Sequence, residues 1–322
     1  MALESLDGLL NPLPLIELSV PLKTAPTGAP GRVGFVVAGD HKSLPTLDGL
    51  VGLDTTFPPL GTCPPTGLRF NGGAIGTADA VQLLFWSAVW NTPALAPLAG
   101  SITAAVKSIL GGPYMSGLRQ YGVKRCFFGN AQVVVPSPPL APNTFGESNV
   151  QGLIQSLIDQ GTFPEPDEAG GRNLYFVMMP PNTIYGPGGA RGAHSAFSTG
   201  SGIDPDLAWY AWIGNNTLSQ MTSTFCHELA EMCTDPEPAS GWSIPGGPPA
   251  CSEIGDICNL QDAPLNGVTV ESYWSVFDNA CLIPTAWSLR RTLAGAGIKL
   301  NGKGLRSLQD PIASLNQFVV NL

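Results

Sequence analysis

Between Asn216 and Pro236 the chain carries one periodicity, and it is helical. Thr217 with Gln220 three residues on is a capping-box pattern. The ring of Pro236 cannot continue a helix, so the segment ends before it. At about 100° per residue, Leu218, Met221, Phe225, Leu229 and Met232 fall on one stripe. His227 and Glu231, at i and i+4, share a different face, roughly 140° from that stripe. One face suits a core. The other offers an imidazole and a carboxylate that can converge on one ion.

The segments before this helix alternate in type. The stretch 80–90 reads as a strand from its aromatic content, and 130–136, 173–181 and 207–214 read as further strands. Helices are expected at 96–110, stopped by Gly111-Gly112-Pro113, and at 148–161, with Ser148 as cap and Gly161 as stop. A glycine-rich stretch, 182–204, reads as a loop that carries His194. Strands alternating with helices imply an α/β (α+β) domain with a mixed sheet. The expected organisation is an N-terminal arm or small prosegment-like subdomain at 1–68, a main domain at 69–287 and a C-terminal tail at 288–322. "RVGFVVAGD" is a candidate strand within the arm.

Composition narrows the function classes. Charged residues are only 12% of the 322, while Gly (39) and Pro (31) together favour loops and short strands. A net charge of −9 argues against nucleic acid, whose phosphates need a basic surface, and against an anionic membrane surface. No window is apolar and uncharged enough to span a bilayer. The first twenty residues lack a basic start and a clean apolar run, so no signal peptide is expected there. Seven cysteines, five of them after residue 225, fit disulfides and favour a secreted or exported chain. Cys226 and Cys233 share a helix side and are expected to be buried, each with a bridge elsewhere. Cys63, in a Pro/Gly turn, is expected to be packed or paired, with a latency switch on a metal as the alternative.

His-Glu at 227–228 followed by Glu231 gives two ligands for Zn2+, which accepts His nitrogen and Glu oxygen. Glu228 is placed to take a proton from a water on that ion. A third ligand is available on either side: His194 upstream, in a small-residue setting, or Glu253 downstream. Asp256, and Asp235 at the helix end, are expected to orient ligands from behind. Tyr273, in "ESYWSVFDNAC", is a candidate cleft residue able to donate to an oxyanion, with a core aromatic as the alternative.

"CHELAEMCTDP" (226–236), "GW" (241–242), "EIGDICN" (253–259) and "YWSVFDNACLIP" (273–284) together resemble a group of bacterial and fungal secreted proteins. "FNGGAIGTADAVQLLFWSAVW" (70–90) and "GPYMSGLRQYGV" (112–123) extend the likeness over about 70–284. More distantly the chain is similar to the plant phosphate-induced, EXORDIUM-like proteins. The resemblance implies a zincin-like domain, with an active-site helix beneath the sheet's edge strand. Glu231 stands where zinc hydrolases usually carry a second histidine. The expectation is therefore a zinc-dependent peptidase-like hydrolase acting on a peptide or protein. The alternatives are a binding or structural protein on the same scaffold and an exported effector or toxin.

Overall fold

A computed structural model describes residues 54–135, 144–167, 171–199 and 206–285. The candidate strand in "RVGFVVAGD" and the 288–322 tail lie outside these residues. The first half runs β1 (Thr55–Phe57), β2 (Arg69–Phe70), β3 (Ala78–Trp86), α1 (Ala96–Gly111), β4 (Arg125–Val134), β5 (Thr144–Phe145) and α2 (Glu147–Asp159). It continues with β6 (Arg172–Met178), β7 (Ile184–Tyr185), β8 (Gly192–Ser198), β9 (Leu207–Ile213) and α3 (Leu218–Thr234). Five short strands follow: β10 (Trp242–Ser243), β11 (Asp262–Leu265), β12 (Val268–Glu271), β13 (Tyr273–Ser275) and β14 (Ala280–Ile283).

The architecture is mixed α/β. Its main sheet has the order β4-β3-β6-β9-β8. The first four of these strands are parallel, and β8 joins β9 antiparallel at the edge. Side chains alternate across a pleated strand, so each parallel strand feeds two cores. Val81, Leu83, Phe176, Met178, Trp209 and Ile213 pack with α1 and α3 on one face. Leu84, Trp86, Tyr175, Val177, Tyr210 and Trp212 pack with α2 on the other.

The expected elements are present, but β3 ends at Trp86, short of the expected 90, because the chain turns into a 3-10 helix at Ala88–Asn91, and three further differences follow. β4 starts at Arg125, ahead of the expected 130. α2 is capped at Gly146, whose N–H donates to the Asn149 side chain, and Ser148 lies inside the helix. The third difference is the 182–204 loop, which contains β7 and β8, so His194 sits in a strand. Its glycines and alanines hid that strand, because they lack the branched and aromatic side chains that mark strands in a sequence.

α3 forms as its periodicity predicts. The Thr217 side chain accepts from the Gln220 N–H. Met221, Phe225, Leu229 and Met232 are fully buried, while Leu218 is exposed. Truncating such a residue, as in Leu229→Ala, costs about 2–5 kcal/mol. The helix is covered on its second face too: Glu228 and Glu231 are buried.

The described residues before 69, from 54 on, are joined to the body. β1 pairs with β14, and a disulfide links Cys63 to Cys251. That bond makes Cys63 a paired cysteine rather than a latency switch. A second disulfide joins Cys258 to Cys281. Cys226 and Cys233, expected to be bridged elsewhere, are free and buried, as is Cys126. Among the described residues no helix is long and apolar enough to cross a membrane.

Candidate metal centre

Three elements converge around α3. On β8, His194 stands directly opposite Ala211 of β9. Residues opposite each other in an antiparallel pair point to the same face. Ala211 belongs to the core shared with α3, so His194 faces the helix as well. Gly192, two residues earlier, lets β8 come close: a Cβ there would lie 2.5 Å from Thr224 Cγ2 and 2.6 Å from Glu228 Oε1. The segment 253–256 approaches from the other side under the same constraint. A Cβ on Gly255 would lie 2.7 Å from Glu231 Oε1 and 3.1 Å from His227 Nδ1.

Glu231 is the hub. Its Oε1 lies 3.2 Å from His227 Nε2 and accepts the Asp256 N–H at 3.1 Å. Its Oε2 lies 3.4 Å from His194 Nδ1. Asp256 Oδ1 is 3.8 Å from His227 Nε2. Glu228 Oε2 is 3.4 Å from His194 Nδ1, and Glu253 Oε1 is 3.3 Å from His194 Nε2. Two triplets of donor atoms result, each mutually within 4.8 Å: His227, Glu231 and Asp256, and His194, Glu228 and Glu231.

The sequence led to one expected set, His227 and Glu231 sharing an ion with either His194 or Glu253, whereas the structure groups the donor atoms as two triplets that share Glu231. Glu231 turns a different oxygen to each histidine. Asp256, expected behind a ligand, presents a donor atom itself. Glu253 joins neither triplet and faces His194. Asp235 reaches the site through its main chain, with its carbonyl 3.1 Å from His194 Nε2. Its carboxylate instead accepts the N–H groups of Ala239, Ser240 and Gly241, closing the loop after α3.

Tyr273 is also corrected. It is fully buried, its hydroxyl donates to the Tyr114 carbonyl at 2.6 Å, and its ring meets the Tyr114 ring edge-on. It is a core residue and does not line a cleft.

Sequence reasoning missed Glu271, at the end of β12. Its Oε1 is 3.0 Å from His227 Nδ1 and accepts the Leu260 N–H at 2.9 Å. The Ser223 hydroxyl lies 3.1 Å from its other oxygen. A carboxylate fixed in this way accepts a hydrogen bond from the Nδ1–H and so turns Nε2 towards Glu231 and Asp256. The only signal was an acid within the apolar run "VTVESYW".

The electrostatics follow from burial. Desolvation pushes the Glu253 carboxyl up to about 8 despite His194, and desolvation with the nearby Glu231 pushes Asp256 up to about 7. Burial also raises Glu228, with His194 opposing it. For Glu231 burial acts in the same direction, but His227 and His194 outweigh it and hold the group below its usual value. Burial works against charge on both histidines. Glu253, Glu228 and Glu231 overcome it at His194, and Glu231 and Glu271 at His227, so both sit well above the usual imidazole value. The carboxylates here make their ion pairs with these two imidazoles. Clustered buried acids of this kind attract protons or a cation.

Side-chain exposure is 13% for His227 and 12% for Asp256, against 4% for His194 and Glu231, so the first triplet is the more open one. The surface hollows beside Cys63–Cys251 and beside Phe163 contain no residue of the cluster. The donor chemistry marks this site, not the shape of the surface. The chain matches no protein-family model, no curated protein and no solved structure.

Proposed function

We propose that the protein is a metal-dependent hydrolase of peptide bonds, with a zinc ion held by His227 Nε2, Glu231 and Asp256. The observation that carries this reading is the fixing of His227. Glu271 holds its Nδ1, and its Nε2 faces two carboxylates on the more open side of the cluster. One nitrogen and two carboxylates form a donor set that zinc accepts, and the nitrogen favours zinc over magnesium or calcium. The close approach at Gly255 supports it: the backbone leaves space for side-chain donors where a Cβ would intrude.

When bound, a divalent ion polarises a carbonyl and lowers the pKa of a water. The chain's own groups supply the rest. Glu228, raised by burial, accepts a proton from water and passes it to the leaving amine. His194 Nδ1, 3.4 Å away, steadies that carboxylate between the two transfers. β8 ends the sheet in the described residues, so an extended peptide can add to its outer edge alongside α3. A zincin-like layout would have these parts: a mixed sheet, an antiparallel edge strand, and a His-Glu helix beside it.

The test is cleavage of a diverse peptide library by the full chain loaded with zinc, repeated with Glu228→Gln. The proposal expects cleavage that falls by roughly two to four orders of magnitude in the variant, with zinc retained. A second reading rests on the burial of the cluster: the ion would tie α3, β8 and the 253–256 segment together without catalysis. Zinc-dependent stability with no cleavage of any library member would favour that reading.

A further inference from the structure

We propose that Cys126 and Cys233 are joined by a third disulfide in the mature chain. Cys126 is the second residue of β4, and Cys233 lies in the last turn of α3. Their sulfurs are 3.2 Å apart, and both residues are buried. A disulfide needs the sulfurs at about 2.05 Å, so about 1 Å remains to be closed, within the reach of small side-chain rotations. Cys226, the remaining free cysteine, has no comparable sulfur contact among the described residues.

The second observation is independent of this distance. The same chain carries Cys63–Cys251 and Cys258–Cys281 as disulfides. Bonds of that kind persist where thiols are oxidised. Under those conditions a pair of cysteines held sulfur to sulfur follows them into the oxidised form.

The chemistry is thiol–disulfide exchange during folding, before burial closes the site. The thiolate of one cysteine attacks a sulfur of a small-molecule disulfide or of an oxidoreductase disulfide. A mixed disulfide forms and one thiol leaves. The thiolate of the second cysteine then attacks the protein-side sulfur and expels the other thiol. The two protein sulfurs lose two electrons, the external disulfide gains them, and both protons end on the released thiols. The bond fixes the end of α3, two residues after Glu231, to β4 of the main sheet. It closes a link over a sequence separation of 107.

The test is made on the full chain, both produced in an oxidising compartment and refolded from the reduced state with reduced and oxidised glutathione. Thiols are alkylated under denaturing conditions without reductant and the peptides mapped by mass spectrometry. The expected result is a linked Cys126–Cys233 peptide, lighter by two hydrogens than its parts, with Cys226 alone alkylated. Cys233→Ser should then melt roughly 5–15 °C lower than the oxidised parent, a gap that closes when the parent is reduced at that bond. Alkylation of both Cys126 and Cys233 in folded chain from both sources, or a bond from either to Cys226, overturns the proposal.

Discussion

Glu271 Oε1 lies 3.0 Å from His227 Nδ1, and that contact decides which nitrogen of His227 looks into the cluster. The residues are 44 apart in sequence and meet because β12 packs beside α3. Glu271→Gln preserves the shape of the partner and removes its charge. It should weaken zinc affinity about 10–100-fold, as measured by competition with a chelating dye. Unchanged affinity would show that the contact does not serve the ion.

Gly255 tests the cradle. Gly255→Ala places a methyl group 2.7 Å from Glu231 Oε1, and the carboxylate must move. Zinc affinity should fall at least about tenfold, in line with other losses of ligand orientation. Gly100→Ala is the control. Nothing lies within 4 Å of a Cβ at that position in α1, and the change should stabilise the helix by about 0.5–1 kcal/mol with zinc binding intact.

The cluster predicts a pH dependence that differs with and without metal. Glu253 and Asp256 are raised to about 8 and about 7, and both histidines are raised as well. The folded metal-free chain therefore binds more protons than the unfolded chain, and its stability falls as pH rises through neutrality. Glu231 acts in the opposite sense, but only in acid, where its lowered value is reached. Zinc competes with these protons, so its affinity should rise between about pH 6 and 8. Thermal melts across that range should decline without zinc and flatten or rise with it. A metal-free melt that improves with pH would contradict the charge balance described here.

Asp79 offers a test away from the metal. It is fully buried at the start of β3, and desolvation raises its carboxyl from 3.8 to about 6, with Thr77 and Arg172 opposing. The folded state holds this proton more tightly, so stability is lost as pH rises from about 4 to 6 and stays lower above that. Asp79→Asn should gain about 1–3 kcal/mol at pH 7 and nothing below about pH 4, by denaturant titration at both values. A variant less stable than its parent at pH 7 would show that the ionised carboxylate is needed.

Most of the main sheet and the helices were legible from residue pattern, β3 through its aromatic content. α3 announced itself through Thr217, Pro236 and its apolar stripe, and β6 and β9 through unbroken apolar runs. β8 was not legible, since Gly192, Ala193, Ser195 and Ala196 are chosen for closeness to α3 and look like a loop. At the site, His227, Glu228 and Glu231 could be read from one helix face. The separate environments of His194 and His227 could not, because they depend on which Glu231 oxygen each meets. Glu271 had no spacing rule to reveal it. Tyr273 looked like a cleft aromatic because residue type does not report the burial that tertiary packing imposes.

The decisive measurement is the zinc content of the purified full chain after dialysis without chelator, set beside that of Glu231→Gln. If His227, Glu231 and Asp256 hold an ion, the parent should carry about one equivalent or more and the variant should lose the ion at this triplet while keeping its fold by circular dichroism. Less than about a tenth of an equivalent in a folded parent, or a variant that binds zinc as tightly as its parent, would contradict a metal centre built on Glu231.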